Sequence, residues 1–190
     1  RLCVALRPYW MVSGLLSEGA HWTDRFLAMD CADEALRGQA MVRRAELAWD
    51  QKDHVQAVRV GEEGLRRCQD AGDHASVSLA LNILAMTDIR ARNLERARER
   101  LSRAVALTRQ TDDPWNEGIA LGTQGALAAR QGRLEEAEAR YEEALALLRA
   151  IDHRWGVGIT LIGRGGVAEA RGDLSGAERC FREALDIQRA

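Results

Sequence analysis

The sequence predicts an all-α chain, a superhelical solenoid of stacked helical hairpins. Three observations predict it: residues that recur at an offset of forty, apolar residues spaced by three and four on both sides of each bend, and only 2 prolines among 190 residues. The recurrence pairs Gly132-Arg133-Leu134-Glu135-Glu136-Ala137 with Gly172-Asp173-Leu174-Ser175-Gly176-Ala177. It also pairs Tyr141 with Phe181, Ala144 with Ala184 and Leu145 with Leu185. Upstream, Trp115, Gly118, Leu121, Gly125 and Ala128 match Trp155, Gly158, Leu161, Gly165 and Ala168. A third copy holds Leu81, Ala85, Leu94, Ala97, Ala104 and Val105, and a fainter fourth holds Met41, Ala45, Ala48, Ala57 and Leu65. A hairpin of forty residues cannot bury its own apolar face, whereas stacked hairpins can. An ordinary helix bundle is the competing reading, but a bundle does not require the recurrence.

The elements follow in order as ten helices in five pairs: 2–13 with 16–29, 33–50 with 54–70, 74–91 with 94–110, 114–131 with 134–150, and 154–171 with 174–189. The bends between them fall at Gly14, Lys52-Asp53, Gly72-Asp73, Arg92-Asn93, Asp112-Asp113-Pro114, Gly132, Asp152-His153 and Gly172-Asp173. Glycine after a helix takes the left-handed conformation cheaply, and Asp before a helical Pro is a start signal. All connections are short, as antiparallel neighbours need. The whole chain, 1–190, reads as a single repeat domain with hairpins at 1–31, 32–71, 72–111, 112–151 and 152–190.

Small residues inside the helices have a steric meaning. Gly125 and Gly165 cost about 1 kcal/mol each against Ala in a helix interior, a cost tolerated where a neighbouring helix passes close. Ala137 and Ala177 do the same on the second helix of each pair, and Tyr141 and Phe181 are knobs for the wider gaps. Trp115 and Trp155 share one position in the period, which favours packing between hairpins over ligand binding.

Composition narrows the function. Lys+Arg is 27 and Asp+Glu is 29, so bulk charge does not hold this chain to nucleic acid. The hydrophobic share, 46%, is enough to offset chain entropy, so disorder is not expected. No apolar run approaches the length of a bilayer span, and no membrane association is expected. Cys3, Cys31, Cys68 and Cys180 lack metal-ligand spacing and read as small buried hydrophobes of a reducing, cytoplasmic compartment, with a disulfide framework as the minor alternative. The start within an apolar periodic segment reads as that of a piece cut from a longer protein.

No catalytic, cofactor or metal site is expected, and the chain does not read as an enzyme. His21, His54, His74 and His153 are far apart in sequence, each in or near a turn, where a capping or surface role outweighs a catalytic one. Gly61-Glu62-Glu63-Gly64 and Gly163-Arg164-Gly165-Gly166 lack the strand–loop–helix setting of a phosphate loop. Glu135-Glu136 and Glu142-Glu143 read as a solvated face with local arginine pairing.

Gly125, Gly132, Leu134, Ala137, Tyr141 and Ala144, and again Gly165, Gly172, Leu174, Ala177, Phe181 and Ala184, resemble the tetratricopeptide repeat family in its long-helix variety. That family's unit is 34 residues; this one is 40. Gln124, Arg164 and Arg44 stand where a large apolar residue is usual, so either the helices rotate or these side chains reach solvent along their stems. Ala5 through Trp10, Gly14, Glu18-Gly19 and Trp22 resemble the start of the repeat region in bacterial signalling-ATPase transcriptional regulators of the LuxR- or AfsR-like kind.

The resemblance implies a non-catalytic protein-interaction scaffold, the regulatory or sensor segment of such a regulator. It also implies that the first helix of each hairpin lines a concave face, with Arg43, Trp49, Met86, Ile89, Arg90 and Arg130 as partner-binding residues and Ile119, Thr123, Ala126, Ile159 and Ile162 beside them. Trp49, without a counterpart in other copies, is the candidate hot spot. The partner expected there is a helix or peptide; packing against the rest of a longer chain is the equal alternative. A self-assembling module joined through the array ends and a small-molecule sensor with its ligand in the groove are the other readings.

Overall fold

The computed structural model describes residues 6, 9–10, 13–29 and 33–189. The expected helix 2–13, with Leu2, Cys3 and Val4, and Cys31 lie largely outside them. Among the described residues the longer helices are, in order, α1 Leu16–Ala28, α2 Glu34–Asp50, α3 His54–Asp70, α4 His74–Arg90, α5 Leu94–Thr111, α6 Pro114–Arg130, α7 Leu134–Ala150, α8 Arg154–Ala170 and α9 Leu174–Arg189. Among the described residues there is no strand. The chain forms two compact units, residues 1–93 and 94–190. In the first, α2 and α3 make an antiparallel hairpin, α1 lies on α2, and α4 packs on both α2 and α3. In the second, α6 pairs with α7 and α8 with α9, while α5 lies on α6 and α8 on both α6 and α7.

One joint recurs from α2 to α9. Lys52, Gly72, Arg92, Asp112, Gly132, Asp152 and Gly172, spaced by twenty, all have positive φ, from 51° to 81°. After each, the amide of the next residue reaches back to the carbonyl five positions earlier: Asp53 to Ala48, Asp73 to Cys68, Asp113 to Thr108, His153 to Leu148. That closure satisfies carbonyls a helix end would otherwise leave unpaired. The residue that closes the bend then starts the next helix. The side chains of Asp53, Asp73, Asp113 and Asp173 accept from the backbone N–H three residues on, at 2.9–3.1 Å.

The glycines make slots for specific side chains. A Cβ on Gly125 would stand 2.9–3.0 Å from the Tyr141 ring, and one on Gly165 would stand 2.5 Å from Phe181. Gly118 and Gly156 both face Leu148, which is fully buried. Ala137, Ala177 and Tyr141 are buried, and Tyr141 is packed with Ala128 and Val167 in one apolar cluster. Phe181 differs. It fills the Gly165 slot yet is 39% exposed, against 5% for Tyr141 at the same repeat position. Tyr141 is met by a second glycine, Gly163, whereas among the glycines only Gly165 meets Phe181.

One expectation is refined and one corrected. Arg44 is buried while the Arg164 side chain keeps 31% exposure, and both end on acids. Arg44 donates to Asp24 at 2.8 Å, and Arg164 donates to Glu138 at 2.7 Å and Glu142 at 3.2 Å, each across to the preceding helix. A guanidinium on a long stem reaches a carboxylate one helix away, so a charge takes the place of the usual apolar contact. His21 lies inside α1 rather than near a turn.

Candidate functional site

Within the first unit, the end of α2 meets the start of α3 and the end of α4. The short bend at residues 51–53 folds α3 back so that His54 packs against Trp49, ring centroids 4.8 Å apart and planes inclined by 55°. Neither His54 ring nitrogen has a hydrogen-bond partner. Burial holds the His54 pKa below 6.5, and the charges of Arg90 and Lys52 push the same way against Asp53. The imidazole is thus kept neutral beside two cations. Trp49 and Arg90 therefore share a neighbour, His54, which spacing alone placed only in a turn.

The other expected partner-binding residues are placed differently. Arg43 pairs with Glu46 on its own helix at 2.7 Å. Met86 is half-buried. Ile89 is buried at 7% exposure, so its side chain offers little surface to a partner. Arg130 is exposed and belongs to the second unit.

In the second unit, Trp115 Nε1 donates to His153 Nε2 at 2.8 Å. His153 Nδ1 accepts from the Gly156 amide at 3.1 Å and caps α8. A neutral imidazole has one acceptor nitrogen, so these two donors compete for it. Trp155 lies edge-on to His153, centroids 6.3 Å apart. Trp115 and Trp155 share a position in the period but differ in exposure: Trp115 is half-buried and Trp155 is 41% exposed. Trp155, Ile159 and Ile162 follow at spacings of four and three on α8, so they share a face. All three are exposed, Ile159 by 48% and Ile162 by 46%.

The two described cysteines are not activated as nucleophiles. Burial pushes the Cys68 thiol up to about 11, with Asp73 adding to it, and burial likewise raises Cys180. Both thiols are free and stay protonated at neutral pH, away from the nucleophilic thiolate form. Among the described residues no group of His, Cys, Asp and Glu could hold a metal ion, and no helix is long and apolar enough to cross a membrane.

Residues 117–190 match the family described as Tetratricopeptide repeat. The comparison with curated proteins gave no match. Among solved structures, BtubC (BKLC) from P. vanneervenii is similar with a TM-score of 0.71 and 21% identity, over 98% of this chain and 78% of that one. The APC/C hetero-tetramer Cut9-Hcn1 gives a TM-score of 0.73 and 19% identity, over 97% of this chain and 33% of that one. Nearly identical TPR-like repeats of a Podosopora anserina protein described as kinesin light chain give 0.64 and 15%, over 98% and 93%. The fold is therefore an all-α helical repeat of the tetratricopeptide type, an architecture whose stacked hairpins present extended interaction surfaces.

Proposed function

We propose that this chain is a non-catalytic scaffold that holds a protein partner on the exposed faces of its first-in-pair helices. The observation that carries this is the apolar stripe Trp155, Ile159 and Ile162 on α8, three large exposed side chains on one face. Such a stripe fits a partner helix with apolar anchors at matching spacing. Trp49 on His54, with Arg90 beside them, is the corresponding feature of the first unit. There the arginine suits an acidic flank of the partner. The finer reading, a regulatory segment of a bacterial transcriptional regulator working in the cytoplasm, is supported by the resemblance of residues 5–22 to such proteins.

The test starts from a partner isolated with the 190-residue chain, then titration calorimetry of variants. Trp155→Ala and Trp49→Ala should each weaken binding by ~2 kcal/mol or more with the helical signal intact. Arg90→Ala should weaken it less and flatten its salt dependence. Wild-type affinity in all three would overturn the placement.

A second reading, self-association through the last hairpin, is favoured by the exposure of Leu174, Phe181 and Leu185. They line a cavity of about 450 Å³ with Ala177. Sedimentation over a wide concentration range decides it, and a monomer at high micromolar concentration counts against it.

A further inference from the structure

In the forty-residue period, position 164 recurs at 124, at 84, where Leu84 is buried, and at 44. Arg164 reaches back to Glu138 and Glu142 on α7, and Arg44 reaches back to Asp24 on α1. At 124 the residue is Gln, and the positions equivalent to Glu138 and Glu142 are Arg98 and Ser102. The carboxylates that close the later groove are thus absent from the earlier one, where one cation and one hydroxyl stand instead. Arg133 just before α7 and Arg140 within it join them, and with Arg98, Ser102 and Gln124 they line a cavity of about 220 Å³ between α5, α6 and α7, all in the second unit.

The acids at this groove are already engaged. Glu136 lines the groove as well and is held there by Arg133, whose other amine goes to Gln131. Arg98 pairs with Glu95 at 3.3 Å and Arg140 with Glu143 at 3.0 Å, each three residues along its own helix. Surface pairs of that kind hold an arginine weakly. A guanidinium carries five donors, so each arginine keeps several for a ligand.

We propose that this groove is an oxyanion site that takes the phosphate monoester of a phosphorylated serine or threonine on a partner. Three guanidinium forks, a hydroxyl and a side-chain amide offer more donors than the two oxygens of one carboxylate use. A phosphate monoester brings three terminal oxygens and close to two negative charges. The proposal is independent of the stripe on α8, which lies on another helix.

The experiment titrates the 190-residue chain with O-phosphoserine at low salt, followed by amide NMR shifts, with glutamate and a dinucleotide phosphodiester as parallel probes. Saturable shifts confined to residues around 98, 102, 124, 133 and 140 are expected. The double variant Arg98→Gln with Arg140→Gln should weaken binding at least tenfold. Ser102→Glu places a carboxylate at the position equivalent to Glu142 and should abolish binding by filling the groove from within. Arg182→Gln, outside the groove, should leave binding unchanged. The proposal is overturned by the absence of saturable shifts, by equal binding of glutamate or the phosphodiester, or by unchanged phosphoserine binding in the double variant.

Discussion

Gly163 on α8 lies against the hydroxyl end of Tyr141 on α7: a Cβ at 163 would stand 2.6 Å from both Cζ and Oη. Gly125 meets the same ring from α6, so the tyrosine is held between two helices that can approach only because neither has a side chain there.

Gly125→Leu should therefore destabilise the chain by at least ~1–3 kcal/mol, because the ring it would meet is buried and closely packed. Gly163→Ala should also destabilise, through its contact at the phenol end. Chemical denaturation measures both. An unchanged midpoint with an unchanged slope for Gly125→Leu would contradict the slot.

The bends offer stabilising changes. Lys52 has φ 67° and Asp152 has φ 51°, a region costly for residues with a Cβ and less so for Asp. Lys52→Gly should raise stability by ~0.5–1 kcal/mol, and Asp152→Gly by less. Thermal unfolding of the two variants should show that order.

Asp73 should mark the acid limit of the first unit. Burial alone would raise its pKa, but hydrogen bonds from the Ser76 backbone and side chain and from Gln39, with the charge of Arg43, outweigh it and hold the value below 3.8. A carboxyl with a lowered native pKa stabilises fully above its unfolded value, and that contribution is lost as pH falls through the native one. Asp73→Asn keeps a capping oxygen for Ser76 while removing the titration. Between pH 4 and about 2, the wild type should lose more stability than the variant in denaturation series.

Arg164 and Glu138 should couple more strongly than Arg182 and Glu178. The first pair spans two helices and is about two-thirds shielded from water, whereas the second is exposed on one helix. Double-mutant cycles should give about 0.5–1 kcal/mol for the first pair and less than 0.5 kcal/mol for the second.

Much of the helical layout was legible because the forty-residue recurrence and the bends agree. From α1 to α9, every expected helix limit lies within one residue of the structure. The spacing of twenty between bends was harder to read, since glycine marks it only at 72, 132 and 172 in this run. At 52, 92, 112 and 152 the closing hydrogen bonds impose the same conformation on Lys, Arg and Asp. The candidate surface was less legible. Spacing assigned Trp115 and Trp155 one role, but burial depends on what lies over a position, and α8 meets α6 while no described helix repeats that contact on α8. Ile89 fits an inward-facing period yet is buried, because α4 is covered along most of its circumference. The pairing of Arg44 and Arg164 with acids one helix back needs a distance that no one-dimensional pattern carries.

The bend within a hairpin and the bend between hairpins have the same backbone closure. A gene segment encoding forty residues can thus be duplicated or lost with its ends at any of these bends, and the new junction needs no sequence of its own. A twenty-residue change would also close cleanly, but it would exchange first and second helices downstream and place Tyr141 and Phe181 opposite the wrong glycines. Forty, rather than twenty, is the step by which a chain of this design can change length while keeping its slots in register.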